Sequence, residues 1–66
     1  MTTDLNNVLK LITTDQLAGM LSISKVTVYR LVESRQIPFY KIKGSIRFNK
    51  DDVLKYLQDN RIESGF

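Results

Sequence analysis

The stretch ITTDQLAGMLSISKVTVYRL, residues 12–31, decides the fold because it contains the starts of two helices. Thr13 is followed three residues later by Gln16, the spacing of a capping box, in which each side chain bonds the backbone amide of the other residue. Ile12 and Leu17 occupy the flanking positions at which two apolar side chains pack together across a helix start. These two signals predict that a first helix begins immediately after the cap.

The second half of this stretch predicts a tight turn and a second helix. The segment Leu21–Ser24 breaks the helical period, and Ser24 can cap a helix that runs from Lys25 to about Ser34. This pattern is typical of a helix-turn-helix; a plain antiparallel helix pair without a ligand is the alternative. The positions expected to face inward are Leu17, Ala18, Leu21, Ile23, Val28 and Leu31.

The second helix has an outer face that is unusual for a surface exposed only to water. On a helical wheel Val28, Leu31 and Val32 share the buried arc. Val26, Arg30 and Glu33 point the opposite way, and Tyr29 and Thr27 lie on the two flanks. An exposed valine beside an arginine and a tyrosine suggests a surface that a partner covers, and a thymine methyl group is one such partner.

Composition and charge favour a polyanionic partner and disfavour several other functions. The 66 residues carry a net charge of +3, but seven basic residues and one acidic residue lie between Ser24 and Lys50. The chain has no cysteine and no histidine, which excludes disulfides and disfavours a metal site or acid–base catalysis. We therefore expect no cofactor and no enzyme activity. No apolar run reaches the roughly 18 residues of a membrane span, so we expect a cytoplasmic protein without a membrane partner.

A β-hairpin is predicted after the second helix. Pro38 ends the helical pattern, and two strand-like segments over Phe39–Asn49 flank a turn at Gly44. A two-residue loop would place Ile42 opposite Ser45, and a three-residue loop would place it opposite Ile46.

The three-residue loop is the register that we predict, because it groups apolar residues on one face of the hairpin. It also places Lys41 and Arg47 together on the other face, where two like charges would share an anion. Alternatively, Arg47 forms an ion pair with Asp51 or Asp52.

A third helix is predicted to begin after Asn49, which can cap it, with two acidic residues at its positive end. Its apolar positions, expected to close the core, are Val53, Leu54 and Leu57, with Tyr56 at the edge. The sequence therefore predicts a partly ordered segment over residues 1–12, containing a short turn or helix. One domain over residues 13–58 and a frayed tail over residues 59–66 would follow it.

This order of elements resembles the excisionase-type DNA-binding domain, a winged relative of the headpiece of MerR-type regulators. The resemblance covers Thr13–Leu57. Ser22 in the turn and Ser34–Gln36 after the second helix depart from the pattern, because a glycine is usual at each place. The best matches are Thr27-Val28-Tyr29-Arg30, Ile37-Pro38, Lys41, Gly44 and Arg47.

The resemblance implies a single compact domain that is mainly α with a small β-hairpin, a winged helix-turn-helix. Its second helix would lie in the major groove of double-stranded DNA, and the hairpin would contact the adjacent backbone or minor groove. The recognition-helix residues would be Ser24, Lys25, Val26, Thr27, Tyr29 and Arg30, and the wing residues Lys41, Lys43, Ser45 and Arg47.

An excisionase is the function that the resemblance favours: a factor that binds repeated sites and bends DNA for a partner integrase. MerR-type regulators add a long dimerisation helix and an effector domain, which do not fit in the nine residues after Leu57. We expect a monomer in solution that binds DNA cooperatively. The alternatives are a small transcriptional regulator of a mobile element and a protein-interaction module.

Overall fold

The computed structural model describes residues 11–64, in which three helices share one core with a small three-stranded sheet. This arrangement confirms the predicted fold class. The predicted turn or helix before residue 11 lies outside the described residues. No helix in the described part of the chain is long and apolar enough to cross a membrane. The elements are β1 (Leu11–Thr13), α1 (Thr14–Leu21), α2 (Lys25–Glu33), β2 (Tyr40–Ile42), β3 (Ser45–Asn49) and α3 (Lys50–Asp59).

The sheet has an additional strand that the sequence did not predict. Its order is β1-β3-β2, and both neighbouring pairs are antiparallel, so that β3 is the central strand. Leu11 and Ile12 therefore lie in a strand, not in a turn or helix. Ile12 pairs with Phe48, and both side chains are buried.

The hairpin of β2 and β3, here called the wing, has the two-residue register, so the predicted three-residue register was wrong. Ile42 pairs with Ser45, and Lys41 pairs with Ile46. Lys41 and Arg47 consequently lie on opposite faces of the sheet, since alternate residues of a strand point to opposite faces.

Turn geometry and packing together explain this register. Lys43 and Gly44 have φ angles of 49° and 83°, and two consecutive positive φ angles characterise the type I′ turn, whose twist suits a two-residue hairpin loop. The prediction grouped apolar residues within the hairpin alone. In the structure the apolar partner of Phe48 is Ile12 of β1, and the edge strand β2 is exposed along its whole length.

The helix starts follow the predicted caps. The amide of Gln16 donates to Thr13 Oγ1 at 3.1 Å, and the amide of Thr13 donates to Gln16 Oε1 at 2.9 Å. Ser24 caps α2, and the amide of Asp51 donates to the Asn49 side chain at the start of α3. These bonds confirm each predicted helix start. The starts were predictable because the bonds join residues that are close in the sequence.

The ends of α1 and α2 use left-handed residues where the usual pattern has glycine. Ser22 has φ 55°, and the next amide, of Ile23, donates to the carbonyl of Ala18 at 3.0 Å. Arg35 has φ 58° and is followed by the corresponding bond from Gln36 to Leu31 at 3.0 Å. Both ends thus form Schellman motifs, which normally use glycine at the left-handed position.

The core lies between α1, α2, α3 and the inner face of the sheet. The inward positions predicted in the helix-turn-helix are confirmed: Leu17, Ala18 and Val28 are buried. Leu21, Ile23 and Leu31 are partly buried and pack against the core. On α3, however, Leu54 and Leu57 are 58% and 44% exposed, and Val53 is the buried residue. The buried residues are Ile12, Leu17, Ala18, Val28, Val32, Ile37, Phe48 and Val53.

Candidate nucleic-acid interface

The outer face of α2 carries four exposed side chains, those of Val26, Tyr29, Arg30 and Glu33, and the two charged ones form no ion pair within residues 11–64. Val26 and Tyr29 are 58% and 44% exposed, and Arg30 is exposed beside them. They project away from the core because Val28 and Val32 on the same helix are buried. A helix that presents an apolar, an aromatic and a guanidinium group in this way can contact the edges of bases in a major groove.

Two of the predicted recognition residues form the start of α2. The amide of Thr27 donates to Ser24 Oγ at 3.1 Å, and the two hydroxyl groups lie 3.0 Å apart. Both residues therefore serve first to fix where the helix begins.

Lys25, the first residue of α2, is paired with an acid of the preceding helix. Its Nζ lies 3.0 Å from Asp15 Oδ1, and this ion pair joins the first turn of α1 to the first turn of α2. The hydrogen bond to Asp15 raises the pKa of Lys25, and the charge of the carboxylate adds to this shift. Asp15 was not among the predicted site residues, because only the folded arrangement of the two helices brings it to Lys25.

The wing presents its polar residues on two different faces. Lys41, Lys43 and Ser45 are exposed, whereas Arg47 is half-buried. The Nη1 of Arg47 donates to the carbonyl of Ile46 at 2.8 Å. The alternative of an ion pair with Asp51 or Asp52 is wrong for the described residues, in which neither acid contacts Arg47 in this way.

A polar groove of about 390 Å³ lies between the starts of α1 and α2 and the turn of the wing. It brings Lys25 and Tyr29 of α2 together with Ser45 and Arg47 of the wing. The hydroxyl of Thr14, which sequence reasoning did not select, also lines it. Guanidinium, ammonium and hydroxyl groups are the usual side-chain partners of DNA phosphates. Lys41, which lies on the opposite face of the sheet from Arg47, does not line this groove.

Two further exposed residues were missed by the sequence analysis. Ile42 is 49% exposed directly before the turn of the wing, on the same face as Arg47. Arg35 places its guanidinium carbon 5.6 Å from the centroid of the Phe39 ring, which stacks a cation on the segment that leads into the wing. The correct register of the wing would have shown that Ile42 lies on the same face as Arg47. No signal in the neighbouring sequence marks Ile42 as a candidate.

The pattern of one protein family, described as the helix-turn-helix domain, matches residues 11–61. The chain belongs to the helix-turn-helix domain family. The match begins with β1 and ends just after α3, so this helix-turn-helix domain includes the wing and the third helix as well as α1 and α2.

Several relatives share this helix-turn-helix domain. "Uncharacterized protein YvgK" of Bacillus subtilis is 32% identical over 50 residues, which are 76% of this chain and 16% of that protein. "Putative antitoxin VapB50" of Mycobacterium tuberculosis is 40% identical over 50 residues, covering 76% of this chain and 38% of that protein. "Putative DNA-binding protein Rv0500A" of the same species is 30% identical over 56 residues, or 85% of this chain and 72% of that protein.

The chain spans less than half the length of the first two of these relatives. No solved structure matches the chain significantly.

Proposed function

We propose that this helix-turn-helix domain is a sequence-specific DNA-binding protein and not an enzyme. The observation that carries the proposal is the exposed face of Val26, Tyr29 and Arg30 on α2, next to a groove with basic side chains. One relative that the chain covers over most of its length has a name that describes it as DNA-binding, which supports the same partner.

In this proposal α2 reads the major groove of double-stranded DNA. Arg30 can donate two hydrogen bonds to a guanine, the commonest specific contact between a side chain and a base. Val26 can contact the methyl group of a thymine, which accounts for an exposed apolar side chain at this place. Ser24, Lys25 and Thr27 lie at the start of the same helix, where a docked helix comes close to base edges and phosphates.

The wing binds the DNA backbone beside the helix. Lys43 and Ser45 are exposed at or next to its turn, and Arg47 reaches the groove that also contains Tyr29. Lys41 projects from the opposite face of the sheet, so that it would meet a more distant phosphate. Such contacts hold the protein in register but carry no sequence information.

We further propose that the protein is an excisionase, which acts in the cytoplasm with a partner integrase. One short recognition helix supports only modest affinity for one site, which favours cooperative binding of monomers to repeated sites and bending of the DNA between them. The alternative is a small transcriptional regulator of a mobile element. Repeated sites with bending, measured by electrophoresis of permuted fragments, would support the excisionase, whereas a single palindrome without bending would support the regulator.

The DNA-binding proposal is tested by titrating DNA from the genetic neighbourhood of the protein at several salt concentrations. We expect Arg30→Ala to reduce the preference for the true site over a scrambled one, because a good Arg–guanine pair contributes about 1–3 kcal/mol of discrimination. We expect Lys43→Ala to weaken both DNAs equally and to reduce the salt slope by about 0.9.

The opposite pattern would contradict this division of roles. A Lys43→Ala variant that loses specificity, together with an Arg30→Ala variant that keeps it, would place sequence reading in the wing. A parent protein that binds neither DNA at low salt would refute DNA binding itself.

A further inference from the structure

An acidic residue lies in the groove that is proposed to meet the DNA backbone. Among the described residues that line this groove, Asp15 is the acid, and Lys25 and Arg47 are the bases. Asp15 is exposed, so its charge faces any polyanion that approaches. A carboxylate at this place repels phosphates, which is the reverse of what tight binding to the backbone requires.

One cation of the groove, the ammonium group of Lys25, is paired with this carboxylate. Lys25 Nζ lies 3.0 Å from the Asp15 carboxylate, and the two side chains are 56% and 72% exposed. The pair is therefore at the surface, where a DNA phosphate could take the place of Asp15. As long as Asp15 holds it, the ammonium group of Lys25 faces a carboxylate and is neutralised locally.

We propose that Asp15 keeps Lys25 from binding a DNA phosphate and so limits the affinity of the protein for DNA of any sequence. Without the contact between Lys25 and a phosphate, the affinity is lower for every sequence by the same factor, because phosphates are present in all DNA. The base contacts of the outer face of α2 then supply a larger share of the binding, whereas the preference for one sequence over another stays unchanged. The inference rests on the proposed DNA binding and adds a residue that opposes it.

The expected effect follows from counterion release. Each phosphate neutralised by a cation adds about 0.9 to the slope of log affinity against log salt. Freeing one lysine should therefore make the loss of affinity between about 50 and 200 mM salt greater by a factor of about 3.5. The gain in affinity at low salt should be the same on the true site and on scrambled DNA.

The matched experiment compares Asp15→Asn with Asp51→Asn. Each acid is the second residue of its helix, and each substitution removes one negative charge, but Asp51 forms no ion pair within residues 11–64. We expect Asp15→Asn to bind scrambled DNA more tightly with a steeper salt slope, and Asp51→Asn to keep the slope of the parent. Equal slopes for the two variants, or weaker binding by Asp15→Asn, would overturn the proposal.

A second variant assigns the effect to Lys25. Adding Lys25→Gln to Asp15→Asn should remove the extra slope, and a gain that persists in the double variant would overturn the proposal. Thermal melts check folding, and Asp15→Ser, which keeps a polar group in the first turn, replaces Asp15→Asn if that variant is unstable. Failure of the parent to bind any DNA refutes the proposed function, whereas normal parent binding with an unchanged Asp15→Asn slope refutes only the role of Asp15.

Discussion

Replacing Ser22 by glycine should stabilise the protein, although it removes a side chain. Ser22 has φ 55° and ψ 42°, it is exposed, and its hydroxyl forms no hydrogen bond within residues 11–64. A residue with a Cβ atom loses roughly 1–2 kcal/mol in this left-handed conformation. Glycine avoids this strain but loses about 0.5–1 kcal/mol more conformational entropy on folding. The expected net gain is about 0.5–1 kcal/mol.

For a domain of this size such a gain raises the melting temperature by about 2–8 °C. The assay is thermal unfolding followed by circular dichroism, with Ser34→Gly as the matched control. Ser34 has φ −85°, and its hydroxyl donates to the carbonyl of Arg30 at 2.7 Å, so glycine relieves no strain there and removes a bond. We expect Ser34→Gly to lower the melting temperature. A Ser22→Gly variant that melts below the parent would refute the assignment of strain to the turn.

Two other predictions concern the core and the wing. Val28 is fully buried, so Val28→Ala should destabilise the protein by about 2 kcal/mol and lower its melting temperature by about 8–16 °C; a melt that matches the parent would contradict the orientation of α2. In the two-residue register Lys41 faces Ile46, and NMR should detect direct contacts between the backbone protons of these two residues. Contacts of Ile42 with Ile46 as directly opposed residues would instead restore the three-residue register.

The helix starts could be predicted from the sequence because each depends on residues within four positions of one another. Thr13 with Gln16, Ser24 and Asn49 form the caps at the predicted places. The buried face of α2 could be predicted for the same reason, since the helical period alone sets which residues share an arc. The sequence showed that the ends of the first two helices lack the usual glycine. That Ser22 and Arg35 adopt the left-handed conformation there is seen only in the tertiary structure.

The tertiary structure decided the features that depend on distant partners. A three-residue strand has too short a pattern to recognise, and β1 exists because Ile12 pairs with Phe48 from the other end of the domain. Because Ile12 covers the buried side chain of Phe48, β2 does not have to supply an apolar partner for it. The register of the wing then follows the geometry of its two-residue turn. Likewise, Asp15 meets Lys25 only after α1 packs on α2. Local hydrogen bonding thus determines where the elements begin, whereas burial shared between distant segments determines the register and which charges face the proposed DNA.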